Sequence, residues 1–340
     1  MQHKLEKGLL LNEEGNLNEA GYSNSLVREY KRSDIKAKKS RIKEWDYYYV
    51  GNDMYGLAVT IADNSYMSMA SLSFLDFCKK EETTKSKIKF FSNGKLNLPS
   101  SSEVGDVFYK DKNCELTFEH KDGKRHIKVY WKNFIDKKEL RADILLRETN
   151  RDSMVIATPF KKDKHFYYNQ KINCLESSGY VKIGDTLFDF NKDTYGVLDW
   201  GRGVWTYKNT WYWSSLNAVD HGKRIGFNLG YGFGDTSAAS ENMLFVNDIS
   251  YKLEDVKFDI PINKQGKDDF LKPWKFRSKD GSIDLTFTPI LNRHASLNVL
   301  VLKSIQNQVF GRFSGTITVE NECFAINDLL GFAEKVTNNW

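Results

Sequence analysis

Residues 178–190 read SGYVKIGDTLFDF, and residues 314–326 read SGTITVENECFAI. The two stretches align without a gap, and each alternates apolar and polar side chains around a turn, as β-hairpins do. With one residue dropped, the match continues and pairs Asp199 with Glu334. Turns further along the chain recur in the same order, which predicts two copies of one β-unit.

Turn-forming residues separate short alternating runs along nearly the whole chain. Asx-Gly and Asn-Asp pairs supply the positive φ angles that tight hairpins require. The predicted turns lie at residues 62–65, 121–124, 183–185, 220–222, 246–248 and 278–281. Only in residues 327–336 does the spacing of apolar side chains approach the 3.6-residue period of a helix. The chain is therefore predicted to be all-β.

The repeat and the length of 340 residues together favour two domains. We expect two tandem lipocalin-like (calycin-like) antiparallel β-barrels or sandwiches, related by the internal repeat. Residues 1–200 would hold an N-terminal extension and the first barrel, and residues 201–340 the second barrel. The 40% of hydrophobic residues can fill two such cores.

Charge and composition limit which classes of binding partner and which cellular compartment are expected. The net charge of +5 is spread along the chain, and its richest basic segment is 28–43. Acidic residues interrupt that segment, so we expect a solvated loop and no nucleic-acid partner. The lack of a long apolar run predicts no integral membrane association. The absence of a signal-peptide pattern, together with four widely spaced cysteines, predicts free, mostly buried thiols in a cytoplasmic protein.

Residues 195–217 contain four of the eight tryptophans, close to one carboxylate and one guanidinium. A two-residue turn at His221-Gly222 would pair Trp213 with Gly230 and Ser215 with Asn228. One face of that hairpin then carries Trp, Gly, Ser and Asn. Two interpretations stay open: the rings cover bare backbone as the core of a domain interface, or they line a ligand cavity.

The cavity interpretation nominates a set of ligand-binding residues on and beside this hairpin: Trp200, Arg202, Trp205, Tyr207, Trp211, Trp213, Ser215, Asn217, Asn228, Glu241 and Asn242.

Asp199 lies on an otherwise apolar strand and is the candidate catalytic residue. It either pairs with Arg202 as a corner clamp or sits in a dry pocket, where desolvation would raise its pKa and make it a general acid. The matching Glu334 favours the structural role. No motif for a metal, phosphate or cofactor is present, so we expect no metal and no cofactor.

Five segments carry a family resemblance: GNLNEAGY (15–22), RIKEWDYY (41–48), GVLDWGRGVW (196–205), ENMLFV (241–246) and FGRFSG (310–315). Together they resemble the bacterial domain-of-unknown-function family 2804, which has no established activity. More distantly, the chain is similar to two-barrel lipocalin-like proteins that include carotenoid 1,2-hydratases and related cyclases. That resemblance implies apolar, isoprenoid-like substrates and acid-assisted addition or rearrangement.

We therefore expect a protein that binds an apolar or amphipathic small molecule, lipid or isoprenoid-like, in or between two barrels. Cofactor-free hydration or isomerisation is the enzymatic form of this hypothesis. The alternative is a non-catalytic structural or carbohydrate-binding module whose tryptophans form the domain interface.

Overall fold

The structure is a computed structural model that describes residues 2–149, 152–299 and 302–339. Within these ranges all regular structure is strand, apart from two short 3₁₀ turns at Arg32–Asp34 and Lys39–Arg41. A small parallel pair, β1 (Gly8–Leu9) with β3 (Arg28–Glu29), precedes the large sheets. The all-β prediction is confirmed.

The first large sheet has thirteen strands in the described chain. Its main order is β7-β6-β5-β4-β15-β13-β11-β10-β9-β8, while β12, β14 and β2 extend it beside β13. The strands are β2 (Gly21–Ser23), β4 (Ile42–Gly51), β5 (Tyr55–Asp63), β6 (Met67–Asp76), β7 (Glu81–Phe90), β8 (Val107–Lys110), β9 (Cys114–Lys121), β10 (Lys124–Ile135), β11 (Lys138–Arg147), β12 (Met154–Pro159), β13 (Phe166–Ile183), β14 (Thr186–Asp189) and β15 (Tyr195–Val204).

The second large sheet has nine strands in the described chain, in the order β19-β18-β17-β16-β24-β23-β22-β21-β20. The strands are β16 (Lys208–Asp220), β17 (Lys223–Tyr231), β18 (Met243–Val246), β19 (Ile249–Lys252), β20 (Val256–Asp259), β21 (Trp274–Ser278), β22 (Ile283–Val299), β23 (Leu302–Val319) and β24 (Glu322–Asn339). Both sheets are antiparallel and curled, as tandem lipocalin-like barrels require.

Strand alternation divides the buried side chains among three clusters. One fills the first barrel, a second fills the second barrel, and a third lies where the outer faces of the two sheets meet. On β4, for example, Tyr48 faces the first barrel's interior while Tyr47 and Tyr49 face the second barrel. We call this third cluster the inter-barrel layer.

The hairpin at His221-Gly222 forms in the predicted register. Trp213 lies opposite Gly230, and Ser215 lies opposite Asn228. The β16–β17 ladder ends at Tyr212 opposite Tyr231, one residue short of Trp211 and Gly232. All six predicted turns separate consecutive antiparallel strands.

Two glycines of the matched segments share one backbone geometry. Gly179 and Gly315 have φ angles of 138° and 140°, and a Cβ on either would lie 2.1 Å from a carbonyl oxygen of the neighbouring strand. Those oxygens belong to Asp143 and Asp284, respectively. Only glycine fits such a close approach. The geometry is what two copies of one unit would show.

Residues 327–336 form part of β24, so the helical tendency in the sequence is not realised. The strand pairs with β16 on one side and β23 on the other. A central strand satisfies its backbone groups through both neighbours, and this tertiary pairing overrides a weak local pattern.

The basic segment 28–43 is a solvated loop only in part. Arg28 pairs with Glu19 and Arg32 pairs with Glu44, both through ion pairs. Lys43 is fully buried and donates to the Asn64 carbonyl at 3.1 Å. The other lysines of the segment are exposed, as predicted: Lys31, Lys36, Lys38 and Lys39.

All four cysteines are free, as predicted, but only Cys114 and Cys174 are buried, whereas Cys78 and Cys323 are exposed. The described residues include no helix with the length and hydropathy needed to cross a membrane.

Candidate functional site

The inter-barrel layer is lined by aromatic rings from both barrels. Tyr47 and Trp213 meet edge to face with ring centroids 5.8 Å apart. Trp213 in turn packs against Phe332 at 4.8 Å, and Phe332 against Tyr49 at 5.5 Å. Such rings exclude water from the polar groups between them.

Lys171 and Asp199 form an ion pair in the middle of this layer. The Lys171 Nζ lies 2.7 Å from Asp199 Oδ1, and the two residues are direct cross-strand partners on β13 and β15. Asn169 donates to the same carboxylate oxygen at 2.6 Å. The Lys171 ammonium also lies 4.0 Å from the centroid of the Trp213 ring. Lys171 is thus held between a carboxylate and an aromatic ring, and Asn169 fixes the carboxylate.

Glu334 lies in the same layer on β24 and has no ion-pair partner within the described chain. Its carboxylate accepts hydrogen bonds from Trp211 Nε1 at 2.9 Å and from Gln308 Nε2 at 3.1 Å. Burial raises the pKa of Glu334, while the hydrogen bond from Trp211 opposes that shift.

Glu241 is the most unusual group of the layer. Its side chain is buried, with 2% of the residue exposed, and neither carboxyl oxygen has a hydrogen-bond partner in the described structure. Burial raises the pKa of Glu241 to about 8, and the nearby Lys171 opposes the shift. The carboxyl is therefore protonated at neutral pH.

A glycine leaves the space that Glu241 occupies. A Cβ at position 230 would lie 2.0 Å from Glu241 Oε1. Gly230 is opposite Trp213 on the β16–β17 hairpin, so the ring and the carboxyl share one stretch of bare backbone. The predicted pair of Trp213 and Gly230 thus also leaves space for the Glu241 carboxyl.

Two asparagines fix the segment that carries Glu241. Asn228 accepts from Trp213 Nε1 at 2.7 Å and donates to the Glu241 carbonyl at 2.7 Å. Asn242 accepts from the Gly230 N–H at 2.7 Å. In the structure Asn228 and Asn242 therefore make contacts within the protein, and these contacts set the position of Glu241.

The expected pair between Asp199 and Arg202 does not form. Residues three apart on a strand point to opposite faces. Asp199 faces the inter-barrel layer, whereas Arg202 points into the first barrel, where it pairs with Asp46 at 2.9 Å and donates to the Pro99 carbonyl at 2.8 Å. The Arg202 guanidinium stacks on Trp200 at 4.4 Å.

The remaining predicted residues divide by position. Trp205 lies in the inter-barrel layer, with its ring centroid 5.3 Å from that of Trp211. Tyr207 is 45% exposed at the surface. Ser215 and Asn217 both accept hydrogen bonds from Asn173 Nδ2 at 2.9 Å, which joins the second barrel to a bulge in β13.

The sequence analysis missed Lys171 and Tyr167. Both lie on β13 with Asn169 between them, on the face opposite the first barrel's core. Tyr168 and Gln170 on the core face are also phenolic or polar, so alternation in the sequence does not single out the first three residues. The Tyr167 hydroxyl is buried without a partner, and burial, together with the charge of Glu241, raises its pKa.

The layer combines buried ionisable groups with aromatic rings. In the described chain, no group of three or more His, Cys, Asp or Glu side chains is arranged to hold a metal ion. The Lys171 amine, the Glu241 carboxyl and several aromatic rings all belong to this layer. A neutral acid beside aromatic faces is a combination that can protonate an apolar ligand or stabilise developing positive charge.

A family model, "Domain of unknown function (DUF2804)", matches residues 2–340. The chain belongs to this family, which confirms the resemblance found in the sequence. No curated protein matches the chain at a significant level.

Solved structures share the fold. A provisionally assigned AttH protein from Nitrosomonas europaea is 12% identical, with a TM-score of 0.55 over 91% of this chain and 97% of that one. Kievitone hydratase from Nectria haematococca is 11% identical, with a TM-score of 0.53 over 98% of both chains. At these identities the likeness establishes the two-barrel architecture alone.

Proposed function

We propose that the chain binds an apolar or amphipathic small molecule, lipid or isoprenoid-like, in the inter-barrel layer and protonates it from Glu241. The observation that carries this proposal is a buried carboxyl with two unpartnered oxygens and a pKa raised to about 8. Native proteins rarely leave such groups unsatisfied without a functional reason. A neutral carboxyl at pH 7 is a ready proton donor.

The reaction class is a cofactor-free, acid-assisted hydration or isomerisation. Transfer of the Glu241 proton to a carbon–carbon double bond forms a C–H bond and leaves a carbocation. The faces of Trp213 and Tyr167 stabilise positive charge without offering a strong nucleophile. Water then adds to the carbocation and gives its surplus proton to the Glu241 carboxylate, or the carbocation loses a different proton to that carboxylate, and either route restores the acid. A hydratase with the same fold makes hydration the first reaction to test.

Lys171 and Asp199 have supporting roles in this scheme. Asp199, the residue expected to be the general acid, is ion-paired with Lys171 at 2.7 Å. We therefore assign the role of general acid to Glu241. The Lys171 ammonium stabilises the Glu241 carboxylate that remains after proton transfer. Asp199 holds that ammonium in place.

Ligand access requires movement, and we assign it to residues 232–242. This segment lacks regular strand, begins at Gly232 and includes the acid Glu241 next to its end. It is closed by the N-terminus, since the His3 N–H donates to the Ala238 carbonyl at 2.8 Å and Gln2 accepts from the Ser240 N–H at 2.8 Å. Release of these contacts would expose Glu241. We also propose two domains, with the boundary expected at 200/201 placed instead between β15, which ends at Val204, and β16, which begins at Lys208.

The competing function is a structural or carbohydrate-binding module. Trp205 and Trp213 are 1% and 3% exposed, so they form no open platform for sugar stacking in this structure. A purely structural interface accounts for the rings but not for an unpartnered carboxyl among them, since an unsatisfied buried polar group costs stability.

Native mass spectrometry of the purified protein tests binding, and solvent deuterium tests chemistry. A co-purifying apolar ligand, or one that raises the melting temperature, is incubated with the protein in D₂O and analysed for deuterium on carbon. We expect incorporation with the wild type, none with Glu241→Gln, and full incorporation with the control Glu254→Gln, whose side chain is exposed. Repeated recovery of bare protein with no thermal shift would refute binding. Incorporation that survives Glu241→Gln would refute the acid.

A further inference from the structure

The first barrel carries an exposed aromatic tip far along the chain from Glu241. Phe90 and Phe91 end strand β7 and are 58% and 74% exposed. Phe108, on β8, is 56% exposed. Large apolar side chains grouped on a surface mark an interaction site more often than isolated ones do.

The tip is held rigidly in its exposed position. Phe91 has φ of 60°, a left-handed value that bulky residues rarely adopt. Its N–H donates to the Tyr66 carbonyl at 2.7 Å. The buried Asp63 carboxylate accepts from Ser92 Oγ at 2.7 Å and from the Gly94 N–H at 3.1 Å, which anchors the following loop. The protein thus enforces a backbone conformation that presents two phenylalanines to solvent.

Lysines surround the tip. Lys85, Lys87 and Lys89 share one face of β7 by strand alternation. The Lys89 Nζ donates to the Lys110 carbonyl at 3.2 Å, which joins the edge strands β7 and β8 beside the aromatic tip. Two acids lie among these lysines: Glu115 pairs with Lys110 at 2.7 Å, and Asp111 interacts electrostatically with Lys87 and Lys89. The balance of charge at this edge is positive.

The same edge contains a groove of about 210 Å³. Its lining includes Lys85, Lys87 and Lys132, with Trp131 among the wall residues. Lys85 is about 16 Å from Phe90 at the usual rise of a strand. Lys85 and Lys87 point to one face of β7 and Phe90 points to the other, so a flat surface contacts both the groove and the tip when it meets this strand edge-on.

We propose that this edge docks on the surface of a bilayer that contains anionic phospholipid. The three phenylalanines enter the headgroup–acyl boundary, and the lysine-lined groove binds phosphate headgroups. This pairing of apolar wedge and basic rim is complementary to an anionic bilayer, since each lysine near the surface adds attraction and the rings add apolar burial. The proposal is independent of the chemistry at Glu241.

Vesicle co-sedimentation tests it with the full chain. We expect the wild type to bind vesicles of three parts phosphatidylcholine to one part phosphatidylglycerol, to ignore phosphatidylcholine alone, and to be released by salt. The Phe90→Ser/Phe91→Asn variant should bind at least roughly tenfold more weakly. Asparagine tolerates the left-handed conformation at position 91, so the fold is retained.

Two controls complete the design. Leu187→Ser removes an apolar side chain that is 63% exposed elsewhere on the first barrel and should leave binding unchanged. Lys85→Gln/Lys87→Gln/Lys132→Gln should abolish the preference for anionic vesicles. Failure of the wild type to sediment with anionic vesicles would overturn the proposal. Binding of inorganic phosphate without binding to vesicles would overturn it too, because the ligand would then be a free anion and not a bilayer. Equal binding by the wild type and the phenylalanine variant would overturn it as well.

Discussion

Asp199 of the first barrel and Glu334 of the second occupy matching places in the inter-barrel layer, and the two carboxylates are held differently. Asp199 lies opposite Lys171 across β15 and β13, while Glu334 lies opposite Gln308 across β24 and β23. Both carboxylates receive a hydrogen bond from the partner at about the same distance, 2.7 Å and 3.1 Å. The first partner brings a positive charge and the second does not.

The aromatic neighbours correspond in the same way. Asp199 is opposite Tyr47 on β4, and Glu334 is opposite Trp213 on β16. The two barrels therefore meet through equivalent faces. The difference between Lys171 and Gln308 shows that positive charge is distributed unevenly in the layer. The Lys171–Asp199 ion pair lies in a region that also contains two further buried carboxyls. Burial raises the pKa of both of them, Glu241 and Glu334.

Lys171→Gln gives the first barrel the amide that the second barrel has, and it should have the largest effect. Three buried carboxyls would then lack their central ammonium, so we expect unfolding at pH 7 to become easier by about 3–5 kcal/mol. Urea titration measures the change. The exposed Lys192→Gln is the control, and a cost below about 1 kcal/mol for Lys171→Gln would show that the lysine does not organise the layer.

Glu241→Gln should change how stability depends on pH. The pKa of Glu241 in the folded protein is about 8, above the ordinary value of about 4.3 in an unfolded chain. The folded state therefore keeps a proton that the unfolded chain releases, and this stabilisation is full below about pH 4 and lost as pH rises through about 8.

From pH 5 to pH 8 the wild type should lose on the order of 3 kcal/mol relative to Glu241→Gln. Lys43 and Lys252 have pKa values lowered by burial to about 6 and about 7, so they favour folding at higher pH. Lys43 cancels in the difference, whereas Lys252 is coupled to the charge of Glu241, so its contribution is part of the measured difference. Parallel curves for wild type and variant would contradict the neutral acid.

Asp199→Asn and Glu334→Gln compare the two barrels directly. The first change leaves the Lys171 ammonium buried without its ion pair and should cost about 3 kcal/mol. The second keeps an oxygen that accepts from Trp211 and should cost about 1 kcal/mol. Denaturant titration of both variants at pH 7 gives the ranking, and the reverse order would show that the two carboxylates are not distinguished by Lys171.

Tyr207→Ala should have the smallest effect. The side chain is 45% exposed and lies outside the inter-barrel layer. A substitution at such a position changes stability by about 0.5 kcal/mol or less. A larger loss in a thermal melt would mean that the layer extends to the surface at this point.

Local rules were enough to predict the fold. The turn at His221-Gly222 fixes the register of its hairpin, and Trp213 therefore falls opposite Gly230 as expected. Strand alternation also places Asp199 and Arg202 on opposite faces of β15, because they are three residues apart. The expected corner clamp between them did not take this into account.

The composition of the site was less accessible from sequence. The Lys171–Asp199 pair depends on the register of β13 against β15, which contains an irregularity between Ile172 and Leu175. The environment of Glu241 depends on how two outer sheet faces dock. Neither the register nor the docking follows from short-range patterns, so the isolated acid became visible only in three dimensions.

The protonation state of Glu241 tests the central claim most directly. The carboxyl carbon of glutamate, labelled with ¹³C, can be followed by NMR across a pH titration and assigned by comparison with Glu241→Gln. We predict a carboxyl resonance that titrates with a midpoint near 8 and disappears in the variant. A midpoint near 4.3, the ordinary glutamate value, would mean that Glu241 is charged at neutral pH and is not the proton donor.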